Sequence, residues 1–170
     1  MSDFWVFGYG SLIWRPGFEF VEEQKAVLHG RCRSLCVYSW VHRGTPERPG
    51  LVLGLDRGGS RAGVARRVDG NLRERVVAYL RERELVTNVY DEVWVPVRLE
   101  DGRRVESLTY VVNRDHPQYA GHLSTEEIAG IVRGASGASG INRDYVENTV
   151  SSLNQWAIRD KVLERICRSL

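Results

Sequence analysis

The chain has 170 residues, 42% of them hydrophobic and 27% charged, which suits one soluble domain with a real core. Net charge is +2, with 24 basic residues scattered among 22 acidic ones, so no basic block marks a nucleic-acid partner. No apolar stretch approaches the roughly 20 residues that span a bilayer, and "MSDFWVFGYG" lacks the basic start and long apolar run of a signal peptide.

Phe4 to Tyr9 reads as a first, apolar strand, followed at once by Gly10, Ser11 and two bulky residues before Arg15-Pro16. Lys25–Arg31 and Ser34–Val41 read as two strands with Gly30 near their junction. "LVLGLD" and "AGVARRV" read as two more, separated by a hairpin loop at "DRGGSR". Asn71 with Glu74 reads as a capping box. The helix it opens has Leu72, Val76, Val77, Tyr79 and Leu80 on one face.

Val93, Val95, Val97 and Leu99 then alternate, as do Leu108, Tyr110 and Val112, with an Asp-Gly turn between them. Residues 114–123 form a polar loop. Ser124 with Glu127 opens a short helix, "GASGASG" is a loop, Asn142 caps a further helix, and a last helix closes the chain. Strands and helices without regular alternation give an α+β class with mostly antiparallel pairing. Nothing reads as a linker, so residues 1–170 are expected to form a single domain. The cysteines, Cys32, Cys36 and Cys167, fit no zinc or redox spacing and are expected to be reduced thiols. Four scattered histidines without H-x-x-x-H offer no metal site.

The chemistry-bearing candidates start with the opening stretch. G-x-G-x-x-G would need glycine where Ile13 stands, and G-K-[ST] is absent, so neither a Rossmann fingerprint nor a P-loop fits. Two readings stand: a plain turn, or a loop whose bare N–H groups bind an anion. In "YLRERELVTNVYD", Glu84 projects into the apolar sector of its helix, at about 100° per residue, and so does Arg83. Apolar walls and the helix C-terminus raise the pKa of such a carboxyl, while Arg83 pulls the other way. Glu84 is therefore either a general-base candidate or a frayed surface glutamate. Ser11 has no G-x-S-x-G elbow and no ordered His–Asp partners, so it reads as a turn hydroxyl rather than a nucleophile.

Taken together, "FGYGSLIWRPGF", "HRGTPERPG" (42–50), "REL…YD" around Glu84, "HPQY" ending at Tyr119 and "SGINRDY" (139–145) resemble the ChaC family of γ-glutamylcyclotransferases, in order along nearly the whole chain. The resemblance implies a mixed, largely antiparallel β-barrel-like sheet flanked by helices, and a reaction without cofactor in the cytoplasm. The substrate it implies is a small molecule, glutathione. The α-amine of the γ-glutamyl group attacks that group's own side-chain carbonyl, giving 5-oxoproline and Cys-Gly.

By the same resemblance Glu84 is the catalytic acid/base, and Tyr9, Gly10, Ser11 and Leu12 bind the γ-glutamyl moiety. Tyr90, Tyr110, Tyr119 and Tyr145 match family tyrosine positions, and Tyr90, Tyr119 and Tyr145 are expected to contact substrate. Arg43 has two readings, a contact for the substrate's glycine carboxylate or an ordinary ion pair. The chain departs from the family at Thr87-Asn88-Val89, where glycine is common; Asn88 tolerates the left-handed conformation that glycine supplies. Two rivals remain. One is a cyclotransferase for other γ-glutamyl amino acids or amines, the other a non-catalytic small-molecule binder on the same fold. The oligomeric state is left open.

Overall fold

Phe4–Gly8 forms β1, all five residues buried, and leads directly into a four-residue helix, α1 (Ser11–Trp14). A computed structural model describes residues 1–170. Two long strands follow, β2 (Glu22–Ser39) and β3 (Gly50–Val68), then a 3-10 turn at Gly70–Leu72 and α2 (Arg73–Glu84). A hairpin of β4 (Tyr90–Leu99) and β5 (Arg104–Val112) completes the main sheet. Beyond it come α3 (Thr125–Gly134), a two-residue ribbon β6 (Ser136–Gly137) and β7 (Gly140–Ile141), α4 (Asn142–Gln155) and α5 (Lys161–Arg168).

The sheet is a closed five-stranded barrel in the order β1-β3-β2-β4-β5. β1 runs antiparallel to β3, with Gly8 opposite Val64, and parallel to β5, with Trp5 opposite Ser107. The β4–β5 hairpin pairs Tyr90 with Val112 through to Arg98 with Arg104. The α+β, mixed and largely antiparallel expectation is borne out. No helix is long and apolar enough to cross a membrane.

The chain divides into two compact units, Met1–Arg33 with Leu55–Asn113, and Ser34–Gly54 with Arg114–Leu170. In the first, Phe4, Val6, Leu12, Val68, Val76, Leu80, Leu108 and Tyr110 form one buried cluster, with Leu72, Val77 and Tyr79 packed against it. The period read for α2 is therefore its buried face. In the second unit α3, α4 and α5 pack on one another.

Several local expectations are corrected. Lys25–Arg31 and Ser34–Val41 are not two strands: β2 runs unbroken from Glu22 to Ser39, because Gly30 at φ +84° bends the chain without ending it. Likewise "DRGGSR" is no hairpin loop: β3 runs through it, with Gly58 and Gly59 both at positive φ. Asn71 caps nothing, since the side chain of Asp69 accepts from its N–H (2.8 Å) and opens the 3-10 turn. "GASGASG" holds β6 and the first residue of β7, which pair as a short ribbon. Asn142 is the first residue of its helix, and its amide turns away to the backbone of Leu51, accepting from the N–H and donating to the carbonyl at 2.8 Å each. The capping box of Ser124 and Glu127 and the Asp-Gly hairpin, with Gly102 at φ +93°, are as expected.

One close approach fixes how β1 and β3 meet. A Cβ added at Gly63 would lie 2.3 Å from the carbonyl oxygen of Gly8 and 2.7 Å from the ring of Phe7. Gly63→Ala is expected to cost about 1–3 kcal/mol through overpacking, lowering Tm by about 2–12 °C. An unchanged melting curve would mean that the two strands separate freely at that point.

Candidate functional site

Gly8 to Pro16 is a short segment with bulky side chains turned inward, so its backbone has to be held by other groups. Tyr9 and Leu12 are buried at 7% and 6% exposure, and Leu12 belongs to the core cluster. The expected bare loop is in part the helical turn α1, closed by Ile13 N–H to Gly10 O (2.9 Å) and Arg15 N–H to Ser11 O (2.7 Å). Gly10 lies just before it with φ −142° and ψ −122°.

Three arginines take up the carbonyls of this segment. Arg33 Nε donates to Tyr9 O at 2.6 Å. Arg66 donates to Leu12 O from Nη1 (2.7 Å) and to Ile13 O from Nη2 (2.9 Å), with its Nε on Glu23 at 2.8 Å. Arg83 Nη1 donates to the carbonyls of Arg15 and Pro16, and Nη2 donates to Ser11 Oγ at 3.0 Å. Arg33 and Arg66 are buried. Sequence reading missed all three as loop holders. The available signal was a basic residue set among apolar neighbours in a strand, as in "GVARRV", and it names no partner.

Glu84 is the last residue of α2. Its side chain is 15% exposed, and Oε1 lies 3.5 Å from Arg83 Nε, whose own side chain is 17% exposed. Burial pushes the Glu84 carboxyl above the ordinary range, and the Arg83 charge offsets part of that push. Both side chains are thus largely covered, and Glu84 is no frayed surface residue. The helix ends there as Leu85 N–H bonds Arg81 O, and Asn88 takes the left-handed conformation at φ 61°.

On the neighbouring strands, Tyr110 donates its hydroxyl proton to Glu92 Oε2 (3.0 Å), and Arg81 grips the same carboxylate from Nε (2.9 Å) and Nη2 (2.8 Å). Arg81 holds Glu92 below the usual carboxylate range, whereas burial and then the charge of Glu92 push the Tyr110 phenol far up.

The first unit therefore brings Ser11, Arg83 and Glu84 together, with Tyr9, Gly10 and Leu12 on the same segment as Ser11. Tyr90, half-buried at the start of β4, packs against the core cluster. Tyr119 and Tyr145 belong to the second unit. There Tyr119 forms an antiparallel bridge with Val37 on β2, and Tyr145 on α4 accepts from Leu53 N–H at 3.0 Å while its ring lies 5.5 Å from the Arg43 guanidinium. Arg43 also donates to Ile141 O at 3.1 Å. The hydroxyl oxygen of Ser11 accepts from a guanidinium, an arrangement unlike that of a serine nucleophile activated by an imidazole. No group of three His, Cys, Asp or Glu side chains is placed to hold a metal ion.

A family profile described as ChaC-like protein matches residues 4–170. The chain is 34% identical over 166 residues to the glutathione-specific γ-glutamylcyclotransferase of Escherichia coli (strain K12), covering 98% of this chain and 72% of that one. It is 34% identical over 146 residues to the Homo sapiens glutathione-specific γ-glutamylcyclotransferase 1, covering 84% of this chain and 66% of that one. A crystal structure of a yeast γ-glutamyl cyclotransferase specific to glutathione has the same fold, with a TM-score of 0.92 at 24% identity over 99% of this chain and 96% of that one.

Proposed function

The chain belongs to the ChaC-like family, and on that premise we propose that it is a γ-glutamylcyclotransferase acting on glutathione, with Glu84 as the general acid and base. The observation that carries the assignment of Glu84 is a carboxyl group held at 15% exposure, with its pKa raised by burial, in the segment that also anchors Ser11 through Arg83.

The chemistry needs little beyond these parts. The α-amine of glutathione is largely an ammonium at neutral pH, so an ionised Glu84 takes one proton from it. The free amine attacks the γ-carbonyl carbon, a new C–N bond closes the five-membered ring, and the bond to the cysteine nitrogen breaks. Glu84 returns its proton to that nitrogen. The second proton, which the ring nitrogen sheds on becoming an amide, leaves with the departing amine as its ammonium, and 5-oxoproline and Cys-Gly depart without any water being consumed. A carboxyl whose pKa lies above the ordinary range is better matched to both transfers at neutral pH. Because the attack is intramolecular, the remaining task is to hold the γ-glutamyl chain curled, which is a proximity effect. Tyr9, Gly10, Ser11 and Leu12 do this along the opening segment, with Tyr90 of the same unit as a further contact. The reaction uses no cofactor, and the whole chain 1–170 acts as one domain in the cytoplasm.

A panel of γ-glutamyl compounds tests the reading directly. Glutathione is expected to release 5-oxoproline faster than γ-glutamyl amino acids and γ-glutamyl amines. A preference for those compounds would move the assignment to another substrate, and no turnover of any would leave a binding protein.

Gly10 supplies a second check. It stands between a carbonyl held by Arg33 and a hydroxyl held by Arg83, so a side chain added there projects from a backbone that is fixed on both sides. In a Glu84→Gln background, where substrate survives, Gly10→Val is expected to abolish glutathione binding measured by calorimetry. Unchanged affinity would place the γ-glutamyl group elsewhere.

A further inference from the structure

Arg83 touches both halves of the proposed machinery, and its donors are used in different directions. Nη1 reaches the carbonyls of Arg15 and Pro16 and the hydroxyl of Tyr79, Nη2 reaches Ser11 Oγ, and Nε faces Glu84 Oε1 at 3.5 Å. Ser11 and Arg83 are 72 residues apart in the chain, so this contact is made by the fold and not by local geometry. A planar guanidinium spreads five donors over three nitrogens in a fixed fork and serves acceptors in different directions at once, whereas an ammonium holds its three donors on one atom.

We propose that Arg83 is a positioning residue with two separable tasks: its fork fixes the opening segment through Ser11, Arg15 and Pro16, and its charge compensates the half-buried Glu84 carboxylate. The kinetic part of this inference rests on the cyclotransferase reading; the electrostatic part does not.

The other groups that face Glu84 stay constant when Arg83 is changed. Tyr110 on β5 interacts electrostatically with Glu84, but its phenol is pushed far above neutrality and remains protonated. Behind it, Glu92 on β4 is bonded by Tyr110 and by Arg81, and remains ionised. A change in the titration of Glu84 on replacing Arg83 therefore reports the Arg83 charge.

The test uses Arg83→Lys and Arg83→Met in the full-length protein. Arg83→Lys keeps the charge and loses the fork: KM for glutathione is expected to rise about tenfold, the loss of one or two hydrogen bonds, with the acidic limb of the kcat/KM profile where it was. Arg83→Met loses both, so KM rises similarly and the acidic limb moves up by about one pH unit or more. A merely structural role would lower kcat/KM at every pH without moving that limb.

The second readout needs no substrate: the ¹³C-carboxyl titration of Glu84, assigned by its absence in Glu84→Gln. It should shift upward in Arg83→Met and stay in place in Arg83→Lys. An unmoved titration in Arg83→Met overturns the charge role, and an unchanged KM in Arg83→Lys overturns the fork. Should Arg83→Met fail to fold, Arg83→Gln, which keeps an amide donor and drops the charge, carries the same titration. If the wild-type protein makes no 5-oxoproline, the functional reading fails, while the carboxyl titration still decides whether Arg83 governs Glu84.

Discussion

Glu84→Gln is expected to lower the turnover of glutathione by ~10²–10⁴-fold, the usual worth of a positioned acid–base group. Substrate binding should persist, because glutamine keeps the shape of the side chain and removes only the proton acceptor. Retention of a tenth of wild-type activity would exclude Glu84 as the base.

The same substitution carries an opposite expectation for stability. Burial raises the Glu84 pKa by more than Arg83 lowers it. Below the ordinary glutamate value of about 4.3, the group is protonated in both the folded and the unfolded chain, and glutamine gains nothing. As pH rises through that value, the unfolded chain releases its proton while the folded one still holds it. Wild-type stability therefore falls until the pH passes the raised folded pKa. The Tm of Glu84→Gln should accordingly match wild type near pH 4 and exceed it at neutral pH, as followed by calorimetry across that range. A gap of equal size at both ends would trace the difference to packing instead of charge.

The largest expected effect in the substrate is produced by acetylating the α-nitrogen of glutathione. An amide lone pair is delocalised into its carbonyl, so ring closure stops, and N-acetylglutathione should not be consumed. Since acetylation can also block entry, the compound is to be tested as a competitor, with inhibition showing that it still binds. Unmodified glutathione should give 5-oxoproline and Cys-Gly in equal amounts, identified by mass against an enzyme-free control, with no free glutamate. Glutamate as the primary product would replace cyclisation with hydrolysis and return Ser11 to consideration as a nucleophile.

How far these features could be read in the sequence depends on whether their cause is local. The β4–β5 hairpin is written in its alternation and its Asp-Gly turn, and the start of α3 in Ser124 and Glu127, which bond each other's backbone. Asn88 is legible for the same reason, because few side chains other than its own tolerate φ 61°. Glu84 comes from helical projection joined to a family resemblance. Glycines misled where they bend a strand that continues: Gly30, Gly58 and Gly59 look like ends but lie within β2 and β3. Asn142 misled because its amide is spent 91 residues away, on Leu51. The partners of the three arginines had no local signature, since the carbonyls and the hydroxyl they bond are set beside them only by the fold.

The amide of Asn142 has a consequence for how this protein meets other copies of itself. β1 pairs with β3 only over Val64–Val68, so the early part of β3 has no partner from β1. Asn142 supplies both a donor and an acceptor to Leu51, and the Tyr145 hydroxyl accepts the N–H of Leu53. Side chains from the first turn of α4 thus stand in for a neighbouring strand. An apolar run such as Leu51-Val52-Leu53, left with open amides, is a template for edge-to-edge aggregation; here the N–H and C=O of Leu51 and the N–H of Leu53 are already taken, and a second chain meets a ladder with those rungs filled.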